Sequence, residues 1–288
     1  DIQDKNITTM SLISVIVTTY NWPELLSSCL NSLLDQQDKN FEIIIADDGS
    51  TSKTQSLIDG FIKNSNIPIK HAYHPDQGFR AGTIRNKAVA LCRGDYLIFI
   101  DGDCVVFPHF IQRHRQLAEQ NYFVPGNRIL LSQAYTQFAV QNKIKLDSQT
   151  NSFFIKLWLQ RKINRVLPLL HVPYSFFRYS QPTQWQKAMT CNLAMFKTDF
   201  ISVNGFDEAF EGWGYEDSDL VIRLIHNGIK RKEGRFAVPV LHHWHKQNDQ
   251  SKHDENHERL MLRLDDADFI YAKQGFDQYG KPSSEAHS

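Results

Sequence analysis

Short β-branched runs alternate with helix-period segments through the first hundred residues, and this pattern constrains the fold more than any other feature. Residues 13–18, 41–46, 69–73 and 96–100 read as strands; 23–36, 53–63 and 80–92 read as helices. In the first helix Leu25, Leu26, Cys29, Leu30, Leu33 and Leu34 recur one turn apart, and Pro23 suits an opening turn. The alternation predicts an α/β chain with a mostly parallel, Rossmann-like sheet flanked by helices. Ligands of such sheets lie beyond the carboxyl ends of the strands. The polar clusters at 18–21, 47–50 and 101–103 each fall at such an end.

The second half is less regular. Residues 122–131 read as one strand bent at Pro125-Gly126, and a helical tail is expected over 255–273. Residues 1–9 and 282–288 read as uninformative tails. Between Ser148 and Thr198 there is no acidic residue, while Lys156, Arg161, Lys162, Arg165, Arg178, Lys187 and Lys197 are basic. The same stretch carries Phe153, Phe154, Trp158, Tyr174, Phe176, Phe177 and Trp185. Two readings stay open: a lobe that buries its aromatics and solvates its cations, or a surface, centred on 153–187, for anionic lipid or a phosphorylated acceptor.

Composition removes several classes. Formal net charge is zero, which argues against a nucleic-acid partner. Four scattered cysteines without a C-x-x-C pair fit reduced thiols better than disulfides or structural zinc. No run approaches the roughly 18 apolar residues of a membrane span, and no signal peptide is evident. The expected location is the cytoplasm, free or against the membrane face.

Five motifs occur in order: Thr18-Thr19-Tyr20-Asn21; Asp47-Asp48-Gly49-Ser50; Asp76-Gln77-Gly78-Phe79-Arg80 with Arg85-Asn86; Asp101-Gly102-Asp103; and Gly205-Phe206-Asp207 running into Gly212-Trp213-Gly214-Tyr215-Glu216-Asp217. Together they resemble family 2 glycosyltransferases with the GT-A fold. The resemblance is to the bacterial branch whose C-terminal part is similar to the galactosyltransferases, and chondroitin-polymerase-type domains share the pattern. It implies one GT-A domain over 10–245, with a nucleotide-sugar half (10–120), an acceptor half (121–245) and a tail (246–288).

Breaking a sugar–phosphate bond builds negative charge on the diphosphate, which a divalent cation can neutralise. Asp101 and Asp103 offer hard oxygen ligands for Mg²⁺ or Mn²⁺, with a glycine between them to admit a ligand, and an added imidazole favours Mn²⁺. The resemblance makes Asp103 the metal ligand and Asp101 a ribose or metal contact. Asp47 and Asp48 could accept from a uracil N–H and ribose hydroxyls, although Asp-Asp-Gly-Ser is also an ordinary turn. The resemblance places them with Thr18, Tyr20 and Arg85 around the nucleoside. Arg80 and Arg85 could instead cap a helix or pair with a surface acid.

Transfer with inversion needs a base for the acceptor hydroxyl. By resemblance Asp217 is that base and Glu216 orients a sugar, while Trp213 supplies an aromatic platform. Both acids also suit a helix N-terminus. His242, His243 and His245 follow an apolar strand. The resemblance makes His242 a further metal ligand with His245 second, and strand alternation turns His243 away. Gln181-Pro182-Thr183-Gln184-Trp185 lacks the arginine and the position of a processive synthase's box. The expected function is transfer of a hexose or N-acetylhexosamine from a UDP-sugar to a bacterial surface glycan or lipid-linked acceptor. Rival readings are an inactive carbohydrate-binding protein of the same fold and a nucleotidyltransferase. The sugar, acceptor, linkage and oligomeric state are not legible.

Overall fold

The β-branched runs at 13, 41 and 96 become the centre of a seven-stranded sheet in the computed structural model, which describes residues 12–172, 175–246 and 249–279. The expectations for residues 1–9, 282–288 and Tyr174 lie outside the described residues. The first half runs β1 (Ile13–Thr19), α1 (Pro23–Leu34), β2 (Phe41–Asp47), α2 (Ser52–Asn64), β3 (Ile69–Tyr73), α3 (Ala81–Ala90) and β4 (Tyr96–Asp101). There follow β5 (Cys104–Val106), α4 (Phe110–Leu117), β6 (Tyr122–Pro125), β7 (Arg128–Leu130), α5 (Gln133–Gln141) and α6 (Asn151–Leu159). The chain closes with β8 (Asn192–Phe196), α7 (Lys197–Ser202), α8 (Glu216–His226), β9 (Lys230–Arg231), β10 (Val240–His242) and α9 (His253–Asp265).

Strand order in the large sheet is β3-β2-β1-β4-β8-β6-β9. The first four are parallel, and β8 is antiparallel to both β4 and β6. Both faces are covered, so strand residues alternate between two cores. In β4, Tyr96, Ile98 and Ile100 join the core under α1, whereas Leu97 and Phe99 join the one under α3 and α8. Phe99, Phe200 and Phe206 lie 5.5–5.8 Å apart, centroid to centroid. Each buried ring contributes about 1.5–3 kcal/mol relative to exposure. Register aligns the polar strand ends: Thr18 is opposite both Ala46 and Asp101, and Thr19 is opposite Asp47.

The segment at 122–131 does bend at Pro125-Gly126, but its halves enter different sheets. β6 stays in the large sheet, while β7 joins β10 and β5 in a three-stranded one. A Cβ at Gly126 would lie 2.1 Å from the Asn192 amide, so only glycine permits the crossing. The small sheet turns Val105, Ile129 and Leu241 onto a third core with Phe154 and Leu157 of α6. The tail helix ends at Asp265, earlier than its periodicity suggested. All four cysteines are buried free thiols. Among the described residues no helix is long and apolar enough to cross a membrane.

Candidate active site

Arg85 sits at the centre of the cleft beyond the strand ends. Its place on α3 is set by its neighbour: the Asn86 amide donates to the Phe206 carbonyl (2.9 Å) and its oxygen accepts from the Phe206 N–H (3.0 Å). Gly205, at φ +65°, makes this contact possible, because a Cβ there would meet Asn86 Oδ1 at 2.6 Å. The Arg-Asn and Gly-Phe-Asp motifs are therefore two halves of one clasp. Arg85 is 3% exposed, and its Nε donates to Thr18 Oγ1 at 3.0 Å. Its terminal nitrogens reach Asp101 Oδ1 and Glu216 Oε1, each at 3.3 Å, and Asp217 Oδ1 at 3.6 Å. Arg85 thus ties Thr18, on the side expected for the nucleoside, to the carboxylates of Asp101, Glu216 and Asp217.

Glu216 and Asp217 open α8, and the loop before them forces the turn. Gly212, Gly214 and Tyr215 have φ of +74°, +115° and +71°. Asp217 Oδ2 accepts from the Thr190 N–H at 3.0 Å and Oδ1 from the Thr190 hydroxyl at 2.8 Å. Burial raises the Asp217 and Asp101 carboxyls despite Arg85. Burial and the adjacent Asp217 charge push Glu216 up to about 7.

Asp103 lies on the other side of Asp101. His242 Nε2 is 3.6 Å from its Oδ1 and His245 Nε2 is 3.2 Å from its Oδ2. Both Nδ1 atoms face backbone carbonyls, of His243 (2.8 Å) and Lys246 (2.9 Å). A carbonyl can only accept, so each Nδ1 carries a proton, and Nε2 is the ring atom that each histidine turns toward Asp103. A carboxylate approached by one imidazole on each oxygen suits a cation, and the outer carbonyls orient the rings as in metal sites. The residues therefore fit a divalent metal. Cys104 Sγ, with Asp103 and His242, falls within a 4.8 Å cluster, though burial and Asp103 hold its thiol protonated. His243 is 1% exposed with neither ring nitrogen partnered among the described residues, away from Asp103 as alternation predicted. Gly102 admits the chain rather than a ligand: a Cβ there would lie 3.1 Å from the Thr18 carbonyl.

The turn at 47–50 is locked to the loop at 74–80. Gly49, at φ +97°, would press a Cβ within 2.5 Å of the Asp76 backbone. Asp48 pairs with His74 Nε2 at 2.5 Å and accepts from the Arg80 N–H at 2.9 Å. Asp47 is fully buried, and its oxygens are engaged by the Ser50 N–H and His71. Its two contacts build the turn. The Arg80 guanidinium donates to the Pro75 carbonyl, while Tyr20 is 45% exposed and donates to Asp76. Trp213 stacks on His253 of α9, 6.0 Å between centroids. The sequence had not singled out Thr190, His71, His74 or His253; none stands in a motif, and only the fold brings them in.

The model of "Glycosyl transferase family 2" matches residues 14–180, and that of "N-terminal domain of galactosyltransferase" matches 170–246. Validoxylamine A glucosyltransferase of Streptomyces hygroscopicus subsp. jinggangensis is 28% identical over 88% of this chain and 60% of its own. Chondroitin synthase of Escherichia coli is 28% identical over 78% of this chain and 34% of its own. The chain thus spans well under two thirds of either relative. The crystal structure of S. aureus TarS 1-349 in complex with UDP superposes with a TM-score of 0.55 at 14% identity, covering 93% of this chain and 68% of that one. That likeness shows the GT-A fold. With more than half of its length matched by the family model, the chain belongs to glycosyl transferase family 2.

Proposed function

We propose that this chain is an inverting, divalent-metal-dependent glycosyltransferase. It would move a hexose or N-acetylhexosamine from a UDP-sugar to a carbohydrate or lipid-linked acceptor of a bacterial surface glycan. The observation that carries the reading is the approach of His242 and His245 to the two oxygens of Asp103, beside three carboxylates sharing Arg85. Asp101, Glu216 and Asp217 share one guanidinium and Asp103 adds a fourth acid beside Asp101, an excess of oxygen donors that suits a divalent ion. Asp103, His242 and His245 would hold Mn²⁺ or Mg²⁺, which would neutralise charge on the diphosphate leaving group.

The remaining chemistry belongs to the chain. Asp217 takes the proton of the acceptor hydroxyl as it attacks opposite the nucleotide, and Thr190 fixes the carboxylate for that step. Glu216 orients a sugar hydroxyl, and Trp213 offers the ring face on which a sugar stacks. Thr18, Tyr20, Asp48 and Arg80 line the nucleoside side. The half up to about residue 120 thus serves the donor and 121–245 the acceptor.

Thermal stability with UDP, GDP or CDP, each with and without Mn²⁺, tests this. A stabilisation specific to UDP, dependent on Mn²⁺ and lost in Asp103→Ala is expected; it would be ~2.7 kcal/mol at a hundred times Kd. A response to GDP or CDP overturns the donor, and no response to any nucleotide favours the inactive binder.

A further inference from the structure

Helix α6 is apolar on two sides. Phe154 and Leu157 pack inward on the third core, and Ile155, Trp158 and Leu159 form an outer stripe that is 47%, 45% and 71% exposed. A short helix hydrophobic all round is normally covered. Downstream, Val166 and Leu169 pack on the same core, which leaves Leu167 and Leu170 outward at 63% and 56% exposure. Phe176, in a 3₁₀ turn further on, is 88% exposed. Scattered exposed apolar residues are ordinary; this many large ones around one small lobe are not.

The charges around them have one sign. Lys156 and Arg161 are exposed, and no carboxylate pairs with Lys156, Arg161, Lys162 or Arg165 among the described residues. Arg165 donates to the Arg128 carbonyl and Lys162 lies over the Tyr135 ring, so neither is neutralised by an acid. Arg178, counted among the cations in the sequence, is 1% exposed and donates to the carbonyls of Val172, Glu233 and Arg235. The acid-free stretch therefore divides: Arg178 braces the interior, and the α6 end presents apolar side chains among unpaired cations.

We infer that this lobe docks on an anionic lipid surface, with Trp158, Leu159 and the leucines inserted at the headgroup boundary and Lys156, Arg161 and Arg165 on the phosphates. Charge complementarity selects this occupant. Apolar side chains set among cations suit acyl chains beneath a negative surface. A second copy would meet the same cations face to face. The placement also links the lobe to the cleft. Leu241 of β10 belongs to the core beneath α6, and its neighbour His242 faces Asp103. The core on which α6 packs thus continues into the strand that carries a residue of the cation site, so the docked lobe and the cleft share one packed unit.

Co-sedimentation of the full chain with vesicles tests the inference without nucleotide or acceptor, so its failure leaves the proposed activity untouched. Binding to equimolar phosphatidylglycerol–phosphatidylcholine vesicles is expected at 50 mM salt. It should weaken about fivefold for each of Lys156→Gln and Arg161→Gln, and on the order of tenfold for Leu159→Glu. A Trp158→Ser, Leu159→Ser variant with unchanged far-ultraviolet circular dichroism and melting should lose binding while remaining folded. Equal binding to pure phosphatidylcholine, or none to either vesicle, overturns the docking surface. Concentration-dependent dimerisation abolished by Leu159→Glu would also overturn it and give the face to a second copy.

Discussion

Thr190 holds Asp217 through two hydrogen bonds, from its N–H to Oδ2 and from its hydroxyl to Oδ1. This pair leaves one lone pair on each carboxylate oxygen and fixes the plane in which a proton can be accepted. Asp217→Asn is expected to lose about 10²- to 10⁴-fold in kcat, the usual contribution of a positioned base. Thr190→Val keeps the N–H contact and loses the hydroxyl, so kcat should fall by roughly tenfold with donor KM unchanged. Thr190→Ser should restore it. A Thr190→Val enzyme whose KM rises while kcat holds would show that Thr190 shapes binding and not the base.

Arg85 is buried among three acids, of which Glu216 lies 131 residues away in sequence. Removing it leaves uncompensated carboxylates in a dry site, so Arg85→Met should destabilise the fold by about 3–5 kcal/mol. Urea unfolding reads this directly as a lowered midpoint. Arg85→Lys keeps a charge without the fork geometry and should fold better, yet transfer sugar poorly. A midpoint unchanged in Arg85→Met would mean that the acids protonate at little cost.

The two imidazoles facing Asp103 separate a metal site from a chance acidic turn. His242→Ala and His245→Ala should each weaken Mn²⁺ affinity by about 10- to 100-fold, read by titration calorimetry with UDP present. Loss in one variant only would assign the ligand; loss in neither would move the ion to Asp101 and Asp103 alone.

Much of this was legible because strand physics leaves a repeating trace. β-branched runs announced β1, β2 and β4, and parallel register then had to align Thr18, Asp47 and Asp101. Contacts made across the fold leave no such trace. Thr190 is a lone threonine in an irregular stretch, and its partner lies 27 residues on. The contact of Arg85 with Glu216 was equally silent, because nothing local says that Glu216 will fold over it. Asp47 and Asp48 look alike in sequence and both are buried, yet the first bonds to Ser50 and His71 and the second to His74 and Arg80.

Asp199 carries a pH dependence outside the cleft. It is 7% exposed at the start of α7, and its Oδ2 has no partner among the described residues. Burial raises its carboxyl to about 6 against an ordinary 3.8. A raised carboxyl favours the protonated form in the folded state. Its contribution is therefore most favourable at low pH and is lost as pH rises toward and through about 6. Asp199→Asn removes the charge and keeps the shape, so it should stabilise the fold by about 1–2 kcal/mol at pH 7.5. The gain should shrink as pH falls below the folded value and vanish near pH 4. Urea midpoints of both proteins at pH 7.5 and pH 5 check the sign: a gain larger at pH 5 would mean that Asp199 is stabilised as a carboxylate by a partner.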